Sequence, residues 1–306
     1  MHSTSAGLLK RIQPSSIVQT VRVATRPRTG AMHAVTTIAS PYLPEAPTGK
    51  AGPPLTVAYP HGIRSLSKGT TIYDALARLG EPFAQVPLPA EGSMYVRPAS
   101  INYTFDGKQK RWDVVESMPS VGIVLHHTGL KAMLLVRQFR PPVYANQLRE
   151  AEAAGRPRPG KETGFTYELC AGLLDKDKSL AQTAREEVLE ETGYDVPLAA
   201  LQPLGSAVAS AGTSGAQHTM FLATVDESMR VPGQGGGLVD HSECIEVLAL
   251  PFEHLLEFVL DDSLLKSPGA MFGAVWLRHA AKPNSSSDDA GGMYTQELTL
   301  KSVLSS

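Results

Sequence analysis

Short alternating runs of apolar and polar residues dominate the chain after residue 93, and this period of two is typical of β-strands with one buried face. Two pairs of runs predict hairpins, one around Asp106-Gly107, which favours a type I′ turn, and one around Thr128-Gly129. Polar residues, Pro and Gly predict an exposed insertion at 141–165, a loop at 210–217 and a flexible glycine-rich loop at 232–237. The predicted strands are 101–105, 108–115, 121–126, 132–140, 167–171, 204–208, 219–225 and 245–250.

Helical periodicity is strongest in the segment that ends at Gly193. Ser179, with Gln182 three residues later, is a capping-box sequence at the start of this helix, and Gly193 suits the left-handed position after its end. Strands mixed with a few helices, without regular alternation, indicate an α+β fold. Further helices are predicted at 72–79, 252–260 and 270–281.

Four glutamates crowd the end of the segment that precedes Gly193. Glu187, Glu190 and Glu191 stand at i, i+3 and i+4, so in a helix they share one face, with Glu186 beside them. Carboxylates that approach one another raise one another's pKa, and a hard divalent cation such as Mg²⁺ relieves the repulsion because it prefers oxygen ligands. The alternative is a solvated acidic face, since Glu is a good helix former.

Composition and charge limit the classes of protein to which the chain can belong. A chain of 306 residues with ordinary apolar content supports one or two domains with a full core. The net charge of -2 gives no reason to expect nucleic acid or a membrane surface as a partner, and no apolar run reaches the length of a membrane span. Two cysteines, Cys170 and Cys244, argue against a disulfide scaffold and fit a reducing compartment.

Four segments differ in composition. Residues 1–40 carry five Lys and Arg and no acidic residue, which is typical of a mitochondrial transit peptide and equally of a disordered basic tail. An intracellular location, cytoplasmic or mitochondrial, is therefore expected. Residues 41–92 are predicted to be a Pro/Gly-rich extension with weak structure, 93–281 the main folded domain, and 282–306 a disordered tail.

The segment from Gly172 to Gly193, GLLDKDKSLAQTAREEVLEETG, resembles the Nudix box, in which a glycine opens a loop and a helix carries a Glu, a Glu pair and a Gly. Two positions depart from the box. Lys178 stands where the box usually has its first Glu, and Glu186 stands where it usually has an Arg. The second departure brings into question the ion pair that normally holds the helix glutamates in place.

Other runs resemble the UDP-sugar diphosphatase branch of the ADP-ribose pyrophosphatase group, and the similarity covers about residues 93–280. It implies that 93–281 form a Nudix hydrolase domain, an α+β fold with mixed β-sheets sandwiched by helices and a β-rich N-terminal segment. The runs are SMYVRPASINYTFDGKQKRWD (93–113), MLLVRQFRPPVYA (133–145), YELCAGLLD (167–175), GGGLVDHSECIEV (235–247) and AMFGAVW (270–276).

The resemblance implies a set of metal ligands. Glu187 and Glu191 match the principal ligands, and the carbonyl of Ala171 matches a backbone ligand. Glu190 matches an accessory ligand, and Glu243 a further one on a loop that closes over the substrate. The expected ion is Mg²⁺, with Mn²⁺ as the alternative.

The general base stays open among Asp240, Glu243 and Glu190. In ADP-ribose relatives the base lies two residues before the ligand that Glu243 matches, where this chain has His241. A histidine has a pKa near neutrality and suits this chemistry, but an ordinary loop histidine is the preferred interpretation.

The substrate is expected to meet basic and aromatic side chains. Arg140 matches a substrate-binding arginine that holds phosphate oxygens with two N–H groups. Arg97 and Trp112 are weaker candidates, since an indole stacks on uracil but packs equally well in a core. The loop of Gly212, Thr213 and Ser214 resembles one that the partner subunit contributes. A homodimer with an exchanged N-terminal region is therefore expected.

Three functions follow from these residues. The first is metal-dependent hydrolysis of the pyrophosphate of a UDP-sugar to UMP and a sugar 1-phosphate. The second is hydrolysis of ADP-ribose or another nucleoside diphosphate derivative. The third is a Nudix module that binds a nucleotide without cleaving it, which the departures at Lys178 and Glu186 favour and the retained glutamates oppose.

Overall fold

The computed structural model describes residues 59–88, 92–93, 95–174, 177–238 and 243–280. The predicted segments 1–40 and 282–306 lie outside these ranges, as do Asp240 and His241. The strands are β1 (Arg64–Ser65), β2 (Val96–Phe105), β3 (Lys108–Ser117), β4 (Ser120–His127), β5 (Ala132–Phe139), β6 (Phe165–Glu168), β7 (Cys170–Leu173), β8 (Gln202–Ser210), β9 (Ser214–Val225) and β10 (Glu246–Pro251). The α-helices are α1 (Ile72–Arg78), α2 (Pro141–Ala153), α3 (Leu180–Glu187), α4 (Leu255–Leu260) and α5 (Pro268–Ala280).

A mixed sheet of eight strands carries the site. Its order is β1-β10-β5-β4-β9-β8, with β4 and β9 parallel and the other pairs antiparallel. Next to their hairpin loop β4 and β5 pair with each other, but further along β5 pairs with β6 and β4 pairs with β7. The run predicted as one strand at 167–171 therefore changes its partner at Leu169, and β7 continues beneath the acidic helix.

Helices pack on both faces of this sheet. On one face, Ala184 and Val188 of the acidic segment join a core with Ile123 and Val136. On the other face, α4 and α5 join a second core through Phe258 and Ala274. The central strands are buried on both faces, as their nearly continuous apolar sequence requires. The α+β sandwich with a mixed sheet is confirmed. None of the helices in the described ranges is long and apolar enough to cross a membrane.

The hairpin β2–β3 forms a separate two-stranded sheet that is exposed along most of its length. Its turn has φ of 50° at Asp106 and 68° at Gly107, which confirms the type I′ turn. The strands are longer than predicted because ten cross-strand pairs join them, from Val96 with Ser117 to Phe105 with Lys108.

The extension predicted at 41–92 is more ordered than expected at residues 63–71, and the helix predicted at 72–79 is confirmed. Helix α1 is present where it is predicted, and Thr71 caps it with a reciprocal bond to Asp74. Strand β1 pairs with β10, and the side chains of Ile63 and Ile72 are buried. These residues gain their order from tertiary contacts, which local composition does not report.

The insertion predicted at 141–165 is exposed or half-buried at most positions, as expected, but it contains a helix that the sequence did not predict. Helix α2 occupies 141–153, and its two prolines lie at the first helical positions, where a missing N–H costs nothing. Tyr144 is 1% exposed and contacts the rings of Phe83 and Phe139. Two buried residues, Tyr144 and Ala151, attach the helix, and they are too few to give a clear periodic signal.

The predicted loop at 210–217 is much shorter in the structure. Strand β9 begins at Ser214 and pairs with β8 as far as Ser210, so only residues 211–213 form the turn. The residues of this extension are mostly exposed, so their strand conformation comes from cross-strand pairing rather than from burial.

Candidate active site

The acidic helix lies directly on β7. A Cβ atom added to Gly172 would stand 1.9 Å from Oε1 of Glu187, so the carboxylate of Glu187 occupies the space that any side chain at 172 would fill. The first glycine of the box is therefore required by a close approach of a side chain, since its φ is not in the left-handed region.

The helix begins and ends as predicted but changes its pitch in between. Ser179 and Gln182 form the reciprocal capping box, and Gly193 ends the segment at a φ of 79°. After α3 the chain takes a π-helical turn over Val188–Thr192, where the prediction was uninterrupted α-helix. A π turn has about 4.4 residues against about 3.6 in an α-helix, so Glu191 stays on the face of Glu187 while Glu190 rotates from it.

Glu191 is a buried carboxyl group, 5% exposed. Burial, followed by the negative charge of Glu187, raises its pKa to about 8. Oε2 of Glu191 accepts the N–H of Ala171 at 3.0 Å, and this bond and the thiol of Cys170 oppose the rise. The alternative of a solvated acidic face is therefore wrong for this residue.

The thiol of Cys170 lies within electrostatic reach of the helix glutamates. Burial raises the pKa of its thiol, and the charges of all three helix glutamates raise it further. The end of β7 thus lies within the field of Glu187, Glu190 and Glu191.

These residues fit a divalent cation. A buried carboxylate whose pKa is raised by a second carboxylate lacks sufficient positive charge around it, and carboxylate oxygens are the ligands that hard cations prefer. Across the described ranges, no three Asp, Glu, His or Cys side chains are grouped closely enough to hold a metal ion by themselves. Backbone oxygen and water must therefore supply ligands, as they commonly do for Mg²⁺.

Arg140 lies beside this acidic group but is held by a residue that the sequence analysis missed. Its Nε and Nη2 atoms donate to the two carboxylate oxygens of Glu168 at 2.8 and 2.6 Å. Glu168 first, and then the charges of Glu191 and Glu243 among other effects, raise the pKa of Arg140. The guanidinium is thus fixed at the edge of the acidic site, with 42% of the Arg140 side chain exposed. The position of Glu168, at the end of a strand that leads into the box, is the available sequence signal.

The glycine-rich loop is bonded to the acidic helix. The N–H groups of Gly236 and Gly237 donate to the carbonyls of Glu191 and Glu190 at 2.8 and 3.0 Å. On the two sides of the four residues outside the described ranges, Leu238 and Glu243 are in contact, since Oε2 of Glu243 accepts the N–H of Leu238 at 2.8 Å. The loop therefore brings Glu243 to the same end of the helix.

The two departures from the Nudix box contact each other. Nζ of Lys178 donates to both carboxylate oxygens of Glu186, and each side chain is about one-third exposed. The positive charge precedes the helix and the negative charge lies next to Glu187, which is the reverse of the usual order of signs. The two residues that depart from the box thus form an ion pair with each other.

We expect activity to require opposite charges at positions 178 and 186, but not a particular sign at either position. Lys178→Glu alone or Glu186→Arg alone places like charges together and is expected to lower kcat about tenfold, because Glu187 follows directly in the helix. The double exchange is expected to restore kcat. Steady-state kinetics of the three variants measure this.

The control is the ion pair between Arg185, on the same helix, and Asp195, two residues after Gly193, with side chains 45% and 44% exposed. Reversing either of its charges is expected to change kcat less than twofold. A double exchange at 178 and 186 that stays as slow as the single variants would contradict a role for this pair.

A second group of predicted substrate residues lies on the exposed hairpin. Nε1 of Trp112 donates to the carbonyl of Gly212 at 2.9 Å, Val115 N donates to the carbonyl of Thr213 at 2.8 Å, and the hydroxyl of Ser117 lies 2.8 Å from that of Ser214. Trp112 is 52% exposed, which excludes a place in the core.

An open groove of about 550 Å³ runs beside these contacts, lined by Arg111, Asp113 and Thr213 among others. Arg97 is exposed on β2, opposite Glu116. The bonds of this hairpin described above go to the turn between β8 and β9, whereas Glu191 bonds β7.

Comparisons with known proteins agree with this fold and site. The NUDIX domain model matches residues 116–264. The chain is 36% identical over 205 residues to uridine diphosphate glucose pyrophosphatase of Bos taurus, covering 62% of this chain and 91% of that protein. It is 31% identical over 207 residues to the protein of that name from Mus musculus, covering 63% and 93%. It is 37% identical over 185 residues to GDP-mannose pyrophosphatase of Pectobacterium atrosepticum, covering 58% and 84%.

The chain belongs to the Nudix family, as the segment from Gly172 to Gly193 predicts. It is a Nudix hydrolase, and its reaction requires a divalent metal ion. The matched region includes β7, the acidic helix and the loop of Glu243, whereas residues 59–88 and strand β2 lie outside it.

Proposed function

We propose that the protein hydrolyses the pyrophosphate bond of a UDP-sugar such as UDP-glucose to give UMP and a sugar 1-phosphate. Two relatives that the chain covers by more than nine-tenths are uridine diphosphate glucose pyrophosphatases, and a third acts on another nucleoside diphosphate sugar. The observations that support the catalytic part concern two glutamates. The carboxylate of Glu187 lies against Gly172, and the pKa of the buried Glu191 is raised to about 8.

The proposed roles follow from charge. Glu187, Glu191 and the carbonyl of Ala171 hold the metal, and Glu190 and Glu243 complete the set. When bound, Mg²⁺, or Mn²⁺ as the alternative, neutralises the pyrophosphate charge and lowers the pKa of a bound water.

Substrate positioning and proton transfer are assigned to other residues. Arg140, held by Glu168, offers positive charge to the phosphates at the rim of the site. The general base is one of Glu190, Glu243 and Asp240. The Gln or Asn variant that removes the acidic limb of the pH profile of kcat/KM, where the base becomes protonated and activity is lost, identifies it.

A substrate panel tests this function. With Mg²⁺ present, kcat/KM for UDP-glucose is expected to exceed that for ADP-ribose and GDP-mannose by about tenfold or more. A site that forms hydrogen bonds with one nucleobase rejects another. Release of UMP, AMP and GMP from matched concentrations measures it. Faster release of AMP from ADP-ribose would support the second function instead, and tight binding without release of any product would support a binding module.

We also propose a homodimer in which the hairpin β2–β3 serves the partner's site. The hairpin exposes several large apolar side chains, which a second copy would cover. In the dimer Arg97, Trp112 and the loop of Gly212, Thr213 and Ser214 would approach the other subunit's substrate. Sedimentation of the purified chain as a monomer at micromolar concentration would contradict this arrangement.

The cell location is proposed from composition alone to be intracellular, in the cytoplasm or in mitochondria. The basic, acid-free segment 1–40 supports the second choice. Imaging of a fusion of these residues to a fluorescent protein distinguishes the two.

A further inference from the structure

The segment before the Nudix region is anchored on the residue that begins β10. Glu246 is 1% exposed and pairs with the buried guanidinium of Arg137, whose Nε lies 2.9 Å from Oε2. Tyr59 donates its hydroxyl to Oε1 of Glu246 at 2.6 Å, and the N–H of Ile72, at the start of α1, points to Oε2 at 3.3 Å. Two points of the segment therefore bind one buried carboxylate, three residues after Glu243.

Between these two points the chain follows the edge of β10 opposite β5. Leu66 N donates to the carbonyl of Val247, and Val247 N donates to the hydroxyl of Ser67, both at 2.8 Å. Arg230 donates to the carbonyl of Leu66 from the other side. These bonds use Val247, near the start of β10, and Arg230, two residues before the glycine-rich loop.

The segment then contacts the loop itself. A Cβ atom on Gly236 would stand 2.8 Å from Cγ2 of Thr70, so these residues are in close contact. Arg78 donates to the carbonyl of Glu243 at 3.4 Å, and Cys244 packs with the buried face of α1. The loop is thus held on one side by this segment and on the other by its bonds to Glu190 and Glu191.

We propose that residues 64–79 form a strap that fixes the glycine-rich loop against the acidic helix and so sets the position of Glu243. Thr70 and Arg78 are positioning residues in this proposal, because they contact the loop and not the glutamate side chains. The strap lies outside the matched region 116–264, so it is an addition to the domain. Its catalytic consequence rests on the proposed function, whereas its effect on the loop does not.

Hydrogen exchange tests the strap without using activity. In the double variant Thr70→Ala, Arg78→Ala, the amides of Gly236, Gly237 and Ile245 are expected to exchange at least about threefold faster than in the wild type. Both side chains lie at or near the surface, so the melting temperature is expected to stay within about 3 °C. The matched control is Arg149→Ala, which removes an exposed arginine that bonds Gln85 and Asn146, away from the loop. Its exchange at the three amides should equal that of the wild type.

Kinetics give the catalytic readout. The double variant is expected to need several-fold more Mg²⁺ for half-maximal rate and to lose about tenfold in kcat, with KM for UDP-glucose unchanged. Arg78→Lys alone, which keeps a donor, should retain most of the wild-type kcat. Unchanged exchange at the three amides in the double variant would overturn the strap. A wild-type chain that cleaves no nucleotide sugar would count against the proposed function only, and the exchange rates would still decide the role of the strap.

Discussion

Replacing Glu191 with glutamine is expected to lower turnover by about 10³-fold or more while the fold stays intact. Glutamine has the shape of the buried side chain but lacks the negative charge that a divalent cation requires. Its amide oxygen still accepts the N–H of Ala171, so the contact of the helix with β7 survives. Circular dichroism together with product release measures both halves of the prediction. Turnover equal to that of the wild type would show that this carboxylate does not serve the reaction.

The same variant is expected to remove a pH dependence of stability from the metal-free protein. The pKa of Glu191 is about 8 in the folded state against 4.5 in the reference state, so the folded protein binds the proton more tightly. The stabilisation is complete below pH 4.5 and is lost as the pH rises to about 8, a change on the order of 5 kcal/mol. In a chelating buffer the wild-type melting temperature should fall by roughly 10 °C over this range. The Glu191→Gln variant should show a much smaller fall, and equal falls in both proteins would refute this origin.

Replacing Gly172 with alanine is expected to lower kcat about 10²-fold with a small loss of stability. The added methyl group would overlap the carboxylate of Glu187, which is the end of a flexible side chain and can move aside. Movement of that carboxylate costs the fold little but removes a proposed metal ligand from its place. Steady-state kinetics and thermal unfolding of the same preparation measure the two effects.

Gly215→Ala is the control for this substitution. Gly215 lies in β9, and a methyl group added there has no heavy atom within 4 Å and no left-handed backbone to strain. Its kcat should stay within twofold of the wild type. A Gly172→Ala variant as active as this control would show that the position of Glu187 is not critical.

Local physics made most of the acidic helix predictable. The capping residues Ser179 and Gln182 and the terminal Gly193 act through bonds and backbone angles within a few residues, so sequence reports them directly. The same holds for the type I′ turn at Asp106-Gly107. Helix α2 was missed because two buried side chains hold it, and two positions do not establish a period.

Contacts between distant residues could not be predicted in the same way. Glu168 lies 28 residues from Arg140, and Tyr59 lies 187 residues from Glu246. The charge of such a residue is visible in the sequence, but its partner depends on which strands become neighbours. The pairing of Lys178 with Glu186 is an intermediate case, because each departure was visible in the sequence and only the structure showed that the two side chains are in contact.

The sequence by itself determined the family, the α+β class and the glutamates that face one end of β7, since spacing along a helix and a strand places those groups before any packing. The tertiary structure decided which carboxylate is buried, what holds Arg140 and where residues 64–79 lie. Burial and long-range bonds arise only when separate elements meet. Burial is the largest cause of the raised pKa of Glu191, and backbone bonds attach the loop of Glu243 to the helix.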